Sequence, residues 1–195
     1  MTYTAQKFAS FEDYLVTDLS DLPEGRYEYW DGELVAVMTE SLGNDGIANS
    51  LYFLLRQAGI YHSLIRPGKV EICVPGRPRT RFPDLTILDD VHLALMSKNA
   101  RLTQTMPPPR LLVEVVSPGN EDSDNYIRDY IDKPKQYAAI GVPELWLIDP
   151  DREWIQVGTL SDNGYKFETF TGQNTIVSST FPKLDLTTAQ VLSAE

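Results

Sequence analysis

Apolar residues recur along the chain in two periods, and the periods alternate in an informative order. Phe8, Phe11, Tyr14 and Leu15 are spaced for one face of a helix over residues 8–19, with Ser10 placed to cap it. Residues 26–37 then form two β-prone runs around Asp31-Gly32, a strong short-range hairpin signal. Ile47, Leu51, Leu54, Leu55 and Ala58 return to helical spacing and predict a helix capped by Asn44 or Asp45 and running to about Gly59. Residues 63–74 predict strands broken at Pro67-Gly68, and 82–88 and 110–116, rich in Leu, Ile and Val, predict two more. The polar, proline-ended segment 92–109 between them predicts a loop carrying one helical turn. Asp122 or Ser123 can cap a helix to Ile140 with Gly141 as its stop. Strands over 144–148, 154–159 and 165–170 follow.

A helix, a strand meander and a strand-helix-strand unit predict an α/β (α+β) fold with a mixed sheet flanked by helices and β-hairpin additions. A length of 195 residues fits a single domain, 1–195. Composition narrows the function. With 17 Lys and Arg against 28 Asp and Glu the net charge is −11, which argues against a generic nucleic-acid coat protein. No apolar run approaches the ~20 residues of a membrane span, so no membrane partner is expected. The first residues lack the basic-then-apolar run of a secretory signal, and the single cysteine, Cys73, cannot form an intrachain disulfide. A reducing cytoplasm is the expected compartment, with Cys73 as core filling.

Charge is unevenly placed. Arg66, Lys69, Arg77, Arg79 and Arg81 crowd one stretch that holds a single acid, Glu71, and leads into Phe82-Pro83-Asp84. These five cations read either as the solvated edge of a strand and loop or as a rim that faces phosphates. Glu114 lies 30 residues beyond Asp84, inside the apolar run Leu111-Leu-Val-Glu-Val-Val. A carboxylate buried there is costly unless it is paired or holds a metal. If the two strands are neighbours, roughly 4.8 Å apart, both carboxylates can project from one face and hold a divalent cation. Mg²⁺ suits one or two carboxylates plus a substrate phosphate. Taken singly, Asp84 also reads as a strand-start turn residue and Glu114 as one half of an ion pair. Glu71, in the apolar run 70–74, raises the same choice between the metal site and an arginine partner.

Four motifs in order resemble the PD-(D/E)XK nuclease superfamily. More narrowly, they are similar to its restriction-endonuclease-like group abundant in cyanobacteria and long catalogued as a domain of unknown function. They are Tyr27-Glu-Tyr-Trp-Asp-Gly-Glu-Leu-Val, Arg81-Phe-Pro-Asp-Leu, Leu112-Val-Glu-Val-Val-Ser-Pro, and Lys133 to Tyr137 followed by Gly141-Val-Pro-Glu-Leu-Trp-Leu-Ile-Asp-Pro. The resemblance implies a restriction-endonuclease-like core, bound Mg²⁺ or Mn²⁺, and hydrolysis of phosphodiester bonds, usually in DNA. It makes Asp84 and Glu114 metal ligands. The superfamily's lysine, two positions after the second acid, is replaced by Val116, and the resemblance transfers its role to Lys133 on the following helix, with Lys135 as fallback. Pro134 then requires either a kink that aims Lys133 at the sheet or a fresh helix capped by Asp132. Glu40 resembles an acidic position of the same group and also reads as a helix N-terminal charge.

The sequence thus predicts a metal-dependent endonuclease in which Asp84 and Glu114 hold Mg²⁺ (or Mn²⁺) and Lys133 assists the attacking water. The cations from Arg66 to Arg81 would face DNA. With so acidic a chain, a homodimer that combines two basic rims is one expectation, and a small or unusual nucleic-acid structure is another. The rival classes are a catalytically silent interaction module that keeps the fold and a hydrolase of small phosphate esters. Whether Lys133 reaches the two carboxylates discriminates enzyme from module.

Overall fold

The computed structural model describes residues 7–37, 41–96 and 100–193. Helix α1 (Phe11–Val16) is capped by the Ser10 hydroxyl and is shorter than its periodicity predicted. The strands β1 (Tyr27–Trp30) and β2 (Glu33–Ala36) form the expected hairpin. Asp31 (φ 45°) and Gly32 (φ 91°) both take the left-handed backbone that its two-residue turn requires. Helix α2 (Leu42–Gln57) starts earlier than expected because Ser41, not Asn44 or Asp45, is its cap: the Asn44 amide donates to Ser41 Oγ.

β3 (Ile65–Pro67), β4 (Glu71–Cys73), β5 (Thr80–Arg81) and β6 (Leu85–Ile87) divide the next stretch around its prolines and glycines. The segment expected to be a loop holds α3 (Asp90–Leu95) and a two-residue strand, β7 (Arg101–Leu102), which is too short to carry a period. β8 (Leu111–Val115) leads into a continuous helical segment: α4 (Asp124–Tyr126), a π-helical turn (Ile127–Asp132) and α5 (Lys133–Ala139). β9 (Glu144–Asp149), β10 (Trp154–Ser161), β11 (Gly164–Thr171) and α6 (Thr188–Leu192) complete it.

Six strands form the main sheet in the order β11-β10-β9-β8-β6-β3; β8 and β9 run parallel and the other neighbours antiparallel. Parallel neighbours need a crossover, and the helical segment 124–139 supplies it. A second sheet, β5-β4-β7, lies alongside, and the hairpin is tied to it through the Tyr29 amide on Thr80 Oγ1 and the Arg79 amide on the Tyr29 carbonyl.

The central strands β8 and β9 are buried on both faces, which is why they read as apolar runs without alternation. Along β8, Leu111, Val113 and Val115 pack with Ile47, Leu51 and Leu55 of α2 and with Val191 of α6. Leu112 and Val116 point the other way and pack with Tyr137 of α5, Leu145 and Leu147. Glu114 has the parity of Leu112 and Val116, so it is directed under the crossover helix.

Glu144 has the opposite parity in β9 and is fully buried. Its carboxylate accepts bonds from Trp146 Nε1 (2.7 Å), Ser178 Oγ (2.7 Å), Ser179 Oγ (2.7 Å) and the Thr180 amide (2.8 Å). One acid thereby fastens the segment after β11 to the core.

Candidate active site

One strand pairing brings the acids together. β6 and β8 pair antiparallel with Leu85 opposite Val113, and continuing that register by one residue sets Asp84 opposite Glu114. The Val115 amide donates to Asp84 Oδ2 at 2.6 Å, so the aspartate sits against the backbone of the glutamate strand. Both acids are buried, Asp84 at 8% and Glu114 at 1% exposure.

The third group arrives from the helix. Lys133 Nζ donates to Glu114 Oε2 at 2.7 Å and to Asp129 Oδ1 at 2.8 Å. Pro134 lies in the first turn of α5, where the fresh-helix route put it, but no side chain caps that helix. Asp132 has helical backbone angles and no capping bond, and the chain widens into the π-helical turn immediately before α5. Proline lacks an amide proton and its ring crowds the carbonyl four residues back, so a wider turn relieves both faults without ending the helix. The lysine therefore faces the sheet, while Lys135 is exposed and takes no part.

Asp129 and Tyr137 are members of the site that the sequence reading did not single out. Asp129 Oδ2 accepts the Ser117 amide (3.1 Å) and Arg128 Nη2 (2.9 Å), and Oδ1 accepts Arg128 Nε (2.9 Å) besides Lys133. Tyr137 Oη donates to Glu114 Oε1 at 2.5 Å. The signal for both was present: Asp129, Lys133 and Tyr137 recur at four-residue spacing and share one side of the helical segment.

Burial raises the Glu114 pKa and Asp129 adds to the rise, with Lys133 and the Tyr137 hydroxyl pulling against them. Burial also acts to raise Asp129, but Lys133 and Arg128 prevail and bring it down to about 2. Desolvation works against the Lys133 ammonium, yet Glu114, Asp129 and Asp84 more than compensate and raise its pKa. Lys133 is thus an ammonium suited to donating hydrogen bonds and stabilising negative charge.

Other residues singled out in the sequence lie elsewhere. Glu71 is enclosed by the Tyr14 hydroxyl and Arg101 Nε; its partner is an arginine 30 positions away and not one of its basic neighbours. It borders a cavity of about 300 Å³ with Tyr14, Tyr27 and Phe82, whose lining shares no residue with the Asp84, Glu114 and Lys133 cluster. Arg81, expected on a phosphate-facing rim, is 2% exposed: its Nε donates to Gln136 Oε1 (2.9 Å) and its Nη1 to Glu28 (3.3 Å). That corrects the expectation, because a guanidinium spent on two internal partners is not offered to a ligand. Arg79 stacks its guanidinium 3.9 Å over the Phe11 ring, and Arg77 pairs with Asp31 at 3.0 Å on the surface. Arg66 is half-buried on β3 and Lys69 is exposed. Glu40 lies outside the described residues.

The donor set fits a hard divalent cation. Asp84 and Glu114 stand opposite each other on neighbouring strands, on one face of the sheet, and a carboxylate oxygen that accepts one hydrogen bond keeps a second lone-pair site. Among the described residues no three acids, histidines or cysteines gather closely enough to form a full cage. Two carboxylates, with water and a substrate phosphate filling the remaining positions, are the usual provision for Mg²⁺.

A mixed sheet whose adjacent strands carry two buried acids under a lysine-bearing crossover helix defines the restriction-endonuclease-like class of fold. The model of the Uma2 family, described as "putative restriction endonuclease", matches residues 11–189, and the chain belongs to that family. Its fold is similar to the crystal structure of a "putative nuclease belonging to DUF820" from Anabaena variabilis ATCC 29413. The TM-score is 0.68 at 15% identity, over 95% of this chain and 98% of that one. No curated protein gives a match. No described helix is long and apolar enough to cross a membrane.

Proposed function

We propose that this protein is a Mg²⁺- or Mn²⁺-dependent endodeoxyribonuclease, acting as a single restriction-endonuclease-like domain. The observation that carries the reading is the Lys133 ammonium, 2.7 Å from Glu114 Oε2, on the strand whose Val115 amide binds Asp84. Asp84 and Glu114 would hold the cation. A cation held there lowers the pKa of an attached water and neutralises charge developing on the phosphoryl group. Lys133 orients the attacking water and stabilises the negative charge that grows as it adds. Tyr137 keeps the Glu114 carboxylate turned toward the lysine.

Family membership supports a nuclease, and the contact between Lys133 and Glu114 favours an enzyme over a silent interaction module, for which a lysine turned to solvent would have spoken. The exposed cations Lys69 and Arg77 remain for contacts with DNA. Cutting both strands of a duplex takes two sites, so we propose that the protein acts as a homodimer.

The test is calorimetric titration of Mn²⁺ into the wild type and Asp84→Ala, with plasmid nicking assayed on the same samples. Binding and nicking by the wild type, both lost in Asp84→Ala, is the expected result. Wild-type binding without nicking of any DNA overturns the nuclease and leaves the phosphate-ester hydrolase or the module.

A further inference from the structure

Lys133 has two anionic partners, and they are held very differently. Glu114 is a proposed metal ligand. A divalent cation on its carboxylate would repel the ammonium and weaken that bond. Asp129 is fixed independently of Glu114. Three donors besides Lys133 hold it: the Ser117 amide just beyond β8, and Nε and Nη2 of Arg128. Arg128 is in turn fixed by Asn125 Oδ1 at 3.0 Å and Ser117 Oγ at 2.9 Å. The Asp129 carboxylate therefore joins the helical segment to the end of the glutamate strand whether or not Glu114 keeps the lysine.

We infer that Asp129 is the positioning residue of this site: it retains the Lys133 ammonium beside Asp84 and Glu114 when Glu114 is withdrawn from it. The carboxylate and the ammonium meet at 2.8 Å at the i, i+4 spacing that brings side chains together along one side of a helix. The inference deepens the nuclease reading and rests on it for its purpose, although the hold on Lys133 is testable without cation or DNA.

Glu114→Gln removes the charge of the first partner and keeps its shape. In protein carrying ¹⁵N-lysine, an ammonium held in hydrogen bonds exchanges its protons slowly enough to give a cross-peak, and loss of that peak in Lys133→Met assigns it. The expected result is a Lys133 peak that persists in Glu114→Gln and is lost in Glu114→Gln/Asp129→Asn, with the helical circular dichroism of both variants unchanged. Loss of the peak in Glu114→Gln alone overturns the inference, since Glu114 would then be the holder; that single variant decides the matter if the double one does not fold.

Kinetics supply the second arm. In nicking assays Asp129→Asn should lower kcat at least tenfold with KM for DNA within twofold, and Asp129→Asn/Lys133→Met should be no slower than Lys133→Met. Multiplying losses would mean that Asp129 acts by a route other than Lys133 and would overturn the inference. An absence of nicking by the wild type counts against the nuclease reading only, because the ammonium signal still reports the positioning.

Discussion

Replacing Lys133 by methionine removes the ammonium shared by two carboxylates that are each 1% exposed. At separations of 2.7 and 2.8 Å the gross attraction is about 6 kcal/mol per pair at an effective dielectric of about 20. Desolvation of the three groups cancels most of it, and removal of one partner from a buried pair costs about 3–5 kcal/mol. Asp129 keeps Arg128, so the deficit falls mainly on Glu114, left with the Tyr137 hydroxyl alone. A loss of about 4 kcal/mol in a chain of this size lowers Tm by roughly 8–16 °C.

Glu114→Gln should behave differently. It leaves Lys133 paired with Asp129, which Arg128 also holds, and an amide oxygen for Tyr137, so we expect a change within about 1.5 kcal/mol of the wild type. The variant Lys133→Met/Glu114→Gln should recover most of the stability lost in Lys133→Met, because it removes the uncompensated charge. Urea unfolding at pH 7 on the four proteins measures each of these. The gap between Lys133→Met and wild type should also narrow as pH falls. Burial raises the Glu114 pKa, so in the variant the carboxyl takes up a proton as pH falls and the penalty for its charge disappears. A Lys133→Met midpoint equal to that of wild type, or a double variant less stable than Lys133→Met, would refute the reasoning.

Glu144→Ala leaves four donors without their acceptor and should cost about 3–5 kcal/mol, with hydrogen exchange rising first over residues 176–184. Asp129 is depressed from 3.8 to about 2 in the folded state, so it contributes stability above its unfolded pKa that is lost as pH falls from about 4 through 2. The contribution is about 2 kcal/mol, and urea midpoints at pH 5 and pH 2.5 should differ by less in Asp129→Asn than in wild type. Burial pushes the Cys73 thiol up to about 12, with Glu71 adding to the rise. A disulfide reagent at pH 8 should therefore leave the folded protein unmodified and titrate one thiol after denaturation. Arg81→Met should lower stability through the loss of its Gln136 and Glu28 bonds while leaving the dissociation constant for DNA within twofold.

Much of this protein is determined by local pattern. The Asp31-Gly32 hairpin, the strand character of 111–115 and 144–149, and the helix that stops at Gly141 follow from side-chain period and turn chemistry, which act over a few residues. Asp84 and Glu114 could be singled out because an acid within or at the start of an apolar strand needs a partner, whatever the fold. What those acids face could not be read locally. Glu71 and Glu114 present the same pattern, an acid among buried apolar neighbours, yet one is closed off by Arg101 and Tyr14 and the other meets Lys133. Arg81 belongs by spacing to a basic cluster and by packing to the interior. The spacing of Asp129, Lys133 and Tyr137 puts them on one side of a helix, but only the docking of that helical segment over β8 makes Asp129 a partner of the lysine beside Glu114. Secondary structure is decided by neighbours in the chain, whereas the partner of a charge is decided by which strands lie side by side and how the helix crosses them.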